Sequence, residues 1–443
     1  MRKRILLVTL LLSTALFLKA QWAYMSIYAG KPNIGVNNIS IVTPDIIWTS
    51  AYVATPTSPP TTEYSRTLNG LAWISDSIRK NPAVPSDNKI SNIYAVGVDT
   101  AWACLFSTTG TSAGGIYKTN DGGMTWNKQT SAAFNNSSFP DFVYFWDKNT
   151  GVAFGDPNLG VFEIYTTLDG GTTWSKVPSP NIPAPLTGEG GGTNGYSVIG
   201  STIWANTSAG RILKSTDKGL HWTAATVMSN QWVDKVVFRD VNNGLSKIGV
   251  TGDTLMKSTD GGTTWNRVIH SGRYLTFDLC SVPGSIPMYI CTGAAIGKCG
   301  SSFSADDGAT WTVIDSVPQH TAVSFLNAAT GWTGGFTFGG GAGGISRWKG
   351  PTGIEEFSNI SELPLYPNPN KGLFQIELKN LNGESTEIAI YDFLGKQVYH
   401  SKENNISSRP MTKDIDLSSC PKGVYLIQVR DGKMLSTNKI VVQ

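Results

Sequence analysis

The sequence predicts an all-β protein: a seven-bladed β-propeller followed by a small antiparallel β-sandwich. Three observations carry this. A Ser/Thr-x-Asp-x-Gly-x-x-Trp segment recurs five times, and its terminal Trp residues stand 43 to 48 positions apart. That period is the length of a four-stranded propeller blade. The repeat stops before residue 350, and a second set of alternating apolar runs follows. Finally, 48 Gly and 22 Pro punctuate the chain at short intervals, as many short strands joined by tight turns require.

The five segments are Thr119 to Trp126, Thr167 to Trp174, Ser215 to Trp222, Ser258 to Trp265 and Ser304 to Trp311. Their acids are Asp121, Asp169, Asp217, Asp260 and Asp306. A carboxylate at this position accepts backbone N–H groups of its own turn. Gly123, Gly171, Gly219, Gly262 and Gly308 supply the positive φ that such a turn needs. Trp126, Trp174, Trp222, Trp265 and Trp311 open the outer strand and lay their indoles between blades, each worth roughly 2–3 kcal/mol of apolar burial. On this reading every one of these acids is structural.

A second repeat lies upstream in the same blades: Phe145 to Gly151, Phe238 to Gly244 and Phe325 to Gly331 each read as an inner strand ending in an Asp/Asn-to-Gly turn. Thr67 to Trp73 looks like a decayed acidic turn. Counting both markers gives seven blades at 38–76, 90–129, 141–177, 196–226, 233–269, 275–315 and 321–349, with six or eight as alternatives. The last lacks an outer strand, which residues 21–28 can supply with Trp22 in the place of the turn Trp. Such closure removes two sheet edges.

Bulk properties bound the function. A net charge of +3 with no basic run past the N-terminus argues against nucleic acid. Residues 1–20 read as a signal peptide: Arg2, Lys3 and Arg4, then an apolar run, then a small residue at Ala20. No later run is long enough to span a bilayer as a helix. The five cysteines are an odd number; two of Cys280, Cys291 and Cys299 are close enough to bridge, and buried thiols are the alternative. No Cys/His spacing suggests a metal, and no cofactor motif occurs.

With its repeat laid out, the segment 21–349 resembles the BNR/Asp-box propellers: sialidases, xyloglucanase-type hydrolases, sortilin-like receptors and photosystem II assembly factors. Gly155-Asp156-Pro157 and Phe162 to Gly171 are most similar to the assembly factors. The resemblance implies the fold and leaves the function open. Ligands of such propellers are expected on the loop face opposite the acidic turns. The residues there are Asp156, Glu189, Trp232, Asp234, His270, Arg273 and Tyr274, with Asp141 and an exposed His320 on neighbouring loops. A glycoside hydrolase needs two carboxylates flanking a bond. Asp156, Glu163, Glu189, Asp234 and Asp278 form the pool, but no spacing selects a pair. The few arginines and the absence of Arg-Ile-Pro before the first turn speak against a sialidase.

Residues 350–362 read as a linker. The segment 363–443 then carries Tyr366-Pro367-Asn368-Pro369, Gly395-Lys396, Ile415 to Ser418, Gly423-Val424-Tyr425 and Lys439 to Val442. These resemble, in order and spacing, the type A sorting domain of the Bacteroidota type IX secretion system. Cys420-Pro421 departs from it, an apolar residue being usual there. The resemblance implies passage to the cell surface or medium, with the secretion machinery as partner. The expectation is therefore an exported, non-catalytic propeller binding an extracellular protein or glycan; a secreted glycan hydrolase is the alternative.

Overall fold

The computed structural model describes residues 22–28, 31, 33–53, 60–81, 83–110, 112, 114–134, 138–249, 252–284, 287–295, 297–336, 344–349, 364–378, 385–392, 397–404, 411–431 and 434–443. The leader at 1–20, the linker at 350–362 and the Gly395-Lys396 pair lie outside them. The chain divides into two compact units, with the boundary between Thr352 and Gly353.

Seven sheets make up the first unit. Blade one runs Ile34–Ile41, Ile47–Val53, Glu63–Thr67 and Trp73–Ser77; blade two runs Asn88–Ala95, Ala101–Ser107, Gly115–Thr119 and Asn127–Lys128. Blade three is Pro140–Phe145, Gly151–Asn158, Val161–Thr167 and Ser175–Lys176; blade four is Gly191–Ile199, Thr202–Thr207, Arg211–Ser215 and Thr223–Thr226. Blade five is Val233–Phe238, Gly244–Ile248, Thr254–Ser258 and Asn266–Val268. Blade six is Asp278–Ser281, Tyr289–Ala295, Lys298–Ser304 and Thr310–Asp315, with Ser271–Gly272 added parallel to its outer strand. Blade seven has Ala322–Asn327, Thr330–Gly334 and Gly344–Trp348, and its fourth strand is Trp22–Ser26 from the other end of the unit. In that pairing Trp22 stands opposite Trp348.

The turns that carry the repeat share one geometry. In blade three Asp169 Oδ1 accepts Thr173 N at 2.9 Å and the Thr167 hydroxyl at 2.9 Å, while Oδ2 accepts the Thr173 hydroxyl at 2.6 Å. Thr167 Oγ1 accepts Gly171 N at 2.9 Å, and Gly171 holds φ 87°. Asp121, Asp217, Asp260 and Asp306 make the corresponding bonds. In blade one Asn69 Oδ1 substitutes, accepting Ala72 N at 2.8 Å. Trp126 packs edge-on against Trp48 and Tyr64 of the blade before it, at 6.3 and 5.5 Å. Trp222 likewise meets Phe154 of the blade before it, tilted and 5.6 Å away. Each such indole joins two blades into one apolar layer.

Cations add a second link. Arg66, Lys118, Lys214 and Arg347 lie over Trp48, Trp102, Trp204 and Trp332 of their own blades. Lys118 Nζ also donates to Gly170 O in the next blade's acidic turn, and Lys257 pairs with Asp307 there, at 2.9 Å.

The second unit is a two-sheet sandwich. One sheet holds Leu365–Tyr366, Leu373–Leu378 and Met411–Asp416; the other holds Gln397–Asn404, Ser385–Tyr391, Gly423–Asp431 and Met434–Val442. Phe374, Ile376 and Leu378 from the first meet Ile388, Ile390, Ile427 and Ile440 from the second in one buried core. Asn368 ties the opening segment to the last strand, donating to Lys439 O and accepting from Val441 N, both at 2.9 Å. Tyr425 is buried and its hydroxyl donates to Pro421 O, whereas Tyr366 and Val424 are exposed.

Candidate functional site: the axial cavity

The first strand of every blade lines the axis. Polar side chains in these strands stitch one blade to the next: Asn38 Oδ1 accepts Ile93 N at 2.9 Å, Asn92 Oδ1 accepts Val143 N at 3.0 Å, and Asp278 Oδ2 accepts Val323 N at 2.9 Å. Buried acceptors left without such donors would cost about 1–3 kcal/mol each.

Blade four breaks the pattern. Its inner strand starts at Gly191, well before the expected residue 196, because the register shifts between Gly191 and Tyr196. Asn194 in this bulge holds φ 51° and sends Oδ1 across the axis, where it accepts Asn92 Nδ2 at 3.0 Å and, more weakly, Asn38 Nδ2 at 3.5 Å. The bulge needs its glycines: a Cβ on Gly192 or Gly195 would fall 2.1 or 2.3 Å from the Asn206 side chain.

Below the bulge lies a cavity of about 260 Å³. Asn38, Asn194, Lys235 and Asp278 line its inner part; Ile199, Ser281, Pro283 and Phe325 line the part at the ends of the inner strands. In an antiparallel blade that end is the side of the acidic turns, so the cavity lies toward the face opposite the loops. Its walls differ. Tyr196, Phe238 and Phe325 bring aromatic rings to it, and Tyr196 is backed by Tyr144 at 5.7 Å. Lys235 of blade five, also in the lining, meets Asp278 Oδ1 of blade six at 2.9 Å. Burial disfavours the Lys235 charge, but Asp278, with smaller help from Asp234 and Cys280, raises the pKa and keeps the ammonium protonated. Ser324 of blade seven closes the polar wall.

The seven loop-face residues do not form one site. Asp156 Oδ1 accepts Gly191 N at 2.7 Å, and Glu189 is buried against Arg211, Thr207 and Leu186 N. Asp234 pairs with Lys247 at 2.5 Å, and Arg273 donates to Cys299 O. His270 and Tyr274 pack on each other, and Tyr274 also packs on Trp311; Trp232 remains exposed. Glu163 pairs with Lys176. Of the hydrolase pool, Asp278 alone lines the axial cavity.

Two loop residues depart from expectation. His320 is buried, with 1% exposure, because Asp315 Oδ2 lies 2.9 Å from its Nε2 and the closing-strand Trp22 lies 5.7 Å from its ring. Asp141 is also buried; its Oδ2 has no hydrogen-bond partner, and burial followed by the nearby Asp156 charge pushes its pKa well up. All five cysteines are free thiols, and Cys280 faces the axial cavity. Among the described residues no group of three His, Cys, Asp or Glu is arranged to hold a metal, and no helix is long and apolar enough to cross a membrane.

The signal for the cavity was present as charge within inner strands: Lys235 and Asp278 interrupt runs that otherwise read as core. Asn38, Asn194 and Ser324 carry no comparable mark.

Residues 364–443 match the family described as the secretion system C-terminal sorting domain. This segment is a type IX sorting domain. The sorting domain marks the protein for secretion or cell-surface attachment, and the secretion machinery is its partner. No curated protein matches the chain. The propeller is similar in fold to two structures of YCF48. One, bound to D1 peptide, is 14% identical with TM-score 0.51, covering 74% of this chain and 96% of that one. The other, from Cyanidioschyzon merolae, is 15% identical with TM-score 0.52, covering 76% and 100%. A GH74 enzyme from Niastella koreensis is 13% identical with TM-score 0.48, covering 95% of this chain and 74% of that one.

Proposed function

We propose that the protein, after removal of a leader at 1–20, is a non-catalytic binding propeller. It acts outside the cell and takes its ligand in the axial cavity. The observation that carries this is the meeting of Tyr196, Phe238 and Phe325 with a partly buried Lys235–Asp278 pair around open space. Concave, pre-formed sites in which placed polar groups converge beside aromatic side chains are where ligands are commonly held. Hydrolysis of a glycosidic bond needs two carboxylates about 5–10 Å apart in one cleft. Here Asp278 is the one acid among the cavity's lining residues, and both its oxygens are engaged. The acids of the recurring turns serve as Asp-box structural groups, each spent on its own turn. A fold relative bound to a peptide supports binding as a use of this architecture.

The test is a screen of the mature chain on glycan and peptide arrays, beside a cavity-filled Ser324→Phe variant. Binding by the parent and its loss in the variant is the expected result. Release of new reducing ends from any bound glycan would overturn the non-catalytic reading.

A further inference from the structure

The hydrogen-bond accounts of the axial cavity are unequal. Its amide and carboxylate acceptors are spent: Asn38 Oδ1 on Ile93 N and the Ser50 hydroxyl, Asn194 Oδ1 on Asn92 Nδ2, and Asp278 on Lys235 and Val323 N; Ser197 Oγ accepts Phe238 N. Its donors are not. Lys235 meets Asp278 Oδ1, leaving two ammonium protons. Because Asn92 and Asn38 both donate to Asn194 Oδ1, the orientation of that amide is fixed and its NH₂ is turned away from them. Neither that NH₂ nor the Ser324 hydroxyl has an acceptor among the described residues. A guest that only donates finds few acceptors here, whereas one rich in acceptor oxygens satisfies all three groups.

The geometry points to a small carboxylate as the ligand of the axial cavity, anchored by Lys235 and flanked by the Asn194 amide and the Ser324 hydroxyl. This rests on the reading of that cavity as the binding site. Charge-assisted bonds from an ammonium to a carboxylate are roughly twice as strong as neutral ones, and they strengthen where water is scarce. The Tyr196 ring beside these donors offers apolar contact for the remainder of the ligand. A uronic acid and an acylated amino acid present the same group to the same donors.

Calorimetric titration of the mature chain with two matched pairs tests this: glucuronate against glucose, and N-acetylalanine against N-acetylalanine amide. At least one acid is expected to bind about tenfold or more tighter than its neutral twin, and the pair that responds identifies the source of the carboxylate. Lys235→Met leaves Asp278 unpaired and risks the fold. The diagnostic variants are therefore Ser324→Ala and Asn194→Asp, the latter keeping the oxygen that Asn92 and Asn38 donate to while losing the NH₂. Each is expected to weaken the acid about three- to tenfold, Ser324→Ala without changing the melting temperature in the absence of ligand. Equal binding of acid and neutral twin overturns the carboxylate assignment while leaving the cavity as the site. Inorganic phosphate outcompeting both acids overturns it in the same way. If no probe binds and Ser324→Phe leaves array binding intact, the cavity is not the site and both readings fall.

Discussion

Lys118 Nζ donates to Gly170 O at 2.8 Å, so a cation on the third strand of blade two grips the acidic turn of blade three. The same ammonium lies 5.1 Å from the Trp102 ring, whose own Nε1 also donates to Gly170 O. Replacing Lys118 with Met removes a hydrogen bond and a cation–π contact, together about 1–2 kcal/mol. A lowered urea midpoint for Lys118→Met, with Lys118→Arg close to the parent, is the expected outcome.

The acidic turns set an acid limit. Hydrogen bonds from the Thr264 hydroxyl and N–H depress the Asp260 carboxyl to about 2, and Asp121 falls to about 2 through its bonds to Thr125 even though desolvation opposes it. A depressed carboxyl contributes stability that is complete above its unfolded value near 4 and lost as pH falls through the folded value. The melting temperature should therefore drop between pH 4 and 2. A Thr264→Val variant, which loses the hydroxyl bond to Asp260, should start less stable at neutral pH and lose less across this range.

Asp141 works in the opposite direction. Its folded pKa is raised, so the native state holds a proton that the unfolded chain releases above about pH 4. Stability then falls with rising pH, by at most about 1.4 kcal/mol per unit for this one group, until the folded pKa is reached. Asp141→Asn removes that slope. Melting curves from pH 4 to 8 should show the variant gaining on the parent as pH rises; parallel curves would refute the assignment.

Trp22 joins the first strand to the last blade. It is buried, donates to Ser301 Oγ at 3.0 Å and packs against Trp348 at 5.0 Å. Trp22→Ala should cost about 3–5 kcal/mol. Deleting residues 21–28 should leave the Gly344–Trp348 edge open and shift the protein toward aggregates on size-exclusion chromatography.

Removal of residues 364–443 should leave the propeller folded but retained in the periplasm. Cell fractionation followed by limited proteolysis reads both outcomes.

Much of the fold was legible because turns are local chemistry. A carboxylate, a glycine and an indole at fixed spacing mark five acidic turns, and with the inner-strand repeat and the decayed turn at Thr67 to Trp73 the count reaches seven blades. Closure by residues 21–28 followed from the missing strand of blade seven. The cavity was not legible, because its walls are assembled from short stretches of five different blades. Asn38 and Asn194 are 156 positions apart yet share a hydrogen bond. The loop face drew attention through its charged and aromatic residues, but Glu189, Asp234 and Arg273 are consumed by local bonds that no linear pattern records. His320 was misplaced for a related reason: its partners are Asp315, near in sequence, and Trp22, at the far end of the unit.

The pairing of Trp22 with Trp348 also constrains timing. Contacts this distant in sequence form late, since the chain must close a long loop before they return any energy. A chain delivered from its N-terminus presents Trp22–Ser26 first and has nowhere to put it until Gly344–Trp348 arrives. The circle is thus absent from every partial length of the polypeptide, and whatever carries the growing chain handles an open ribbon with one unsatisfied strand.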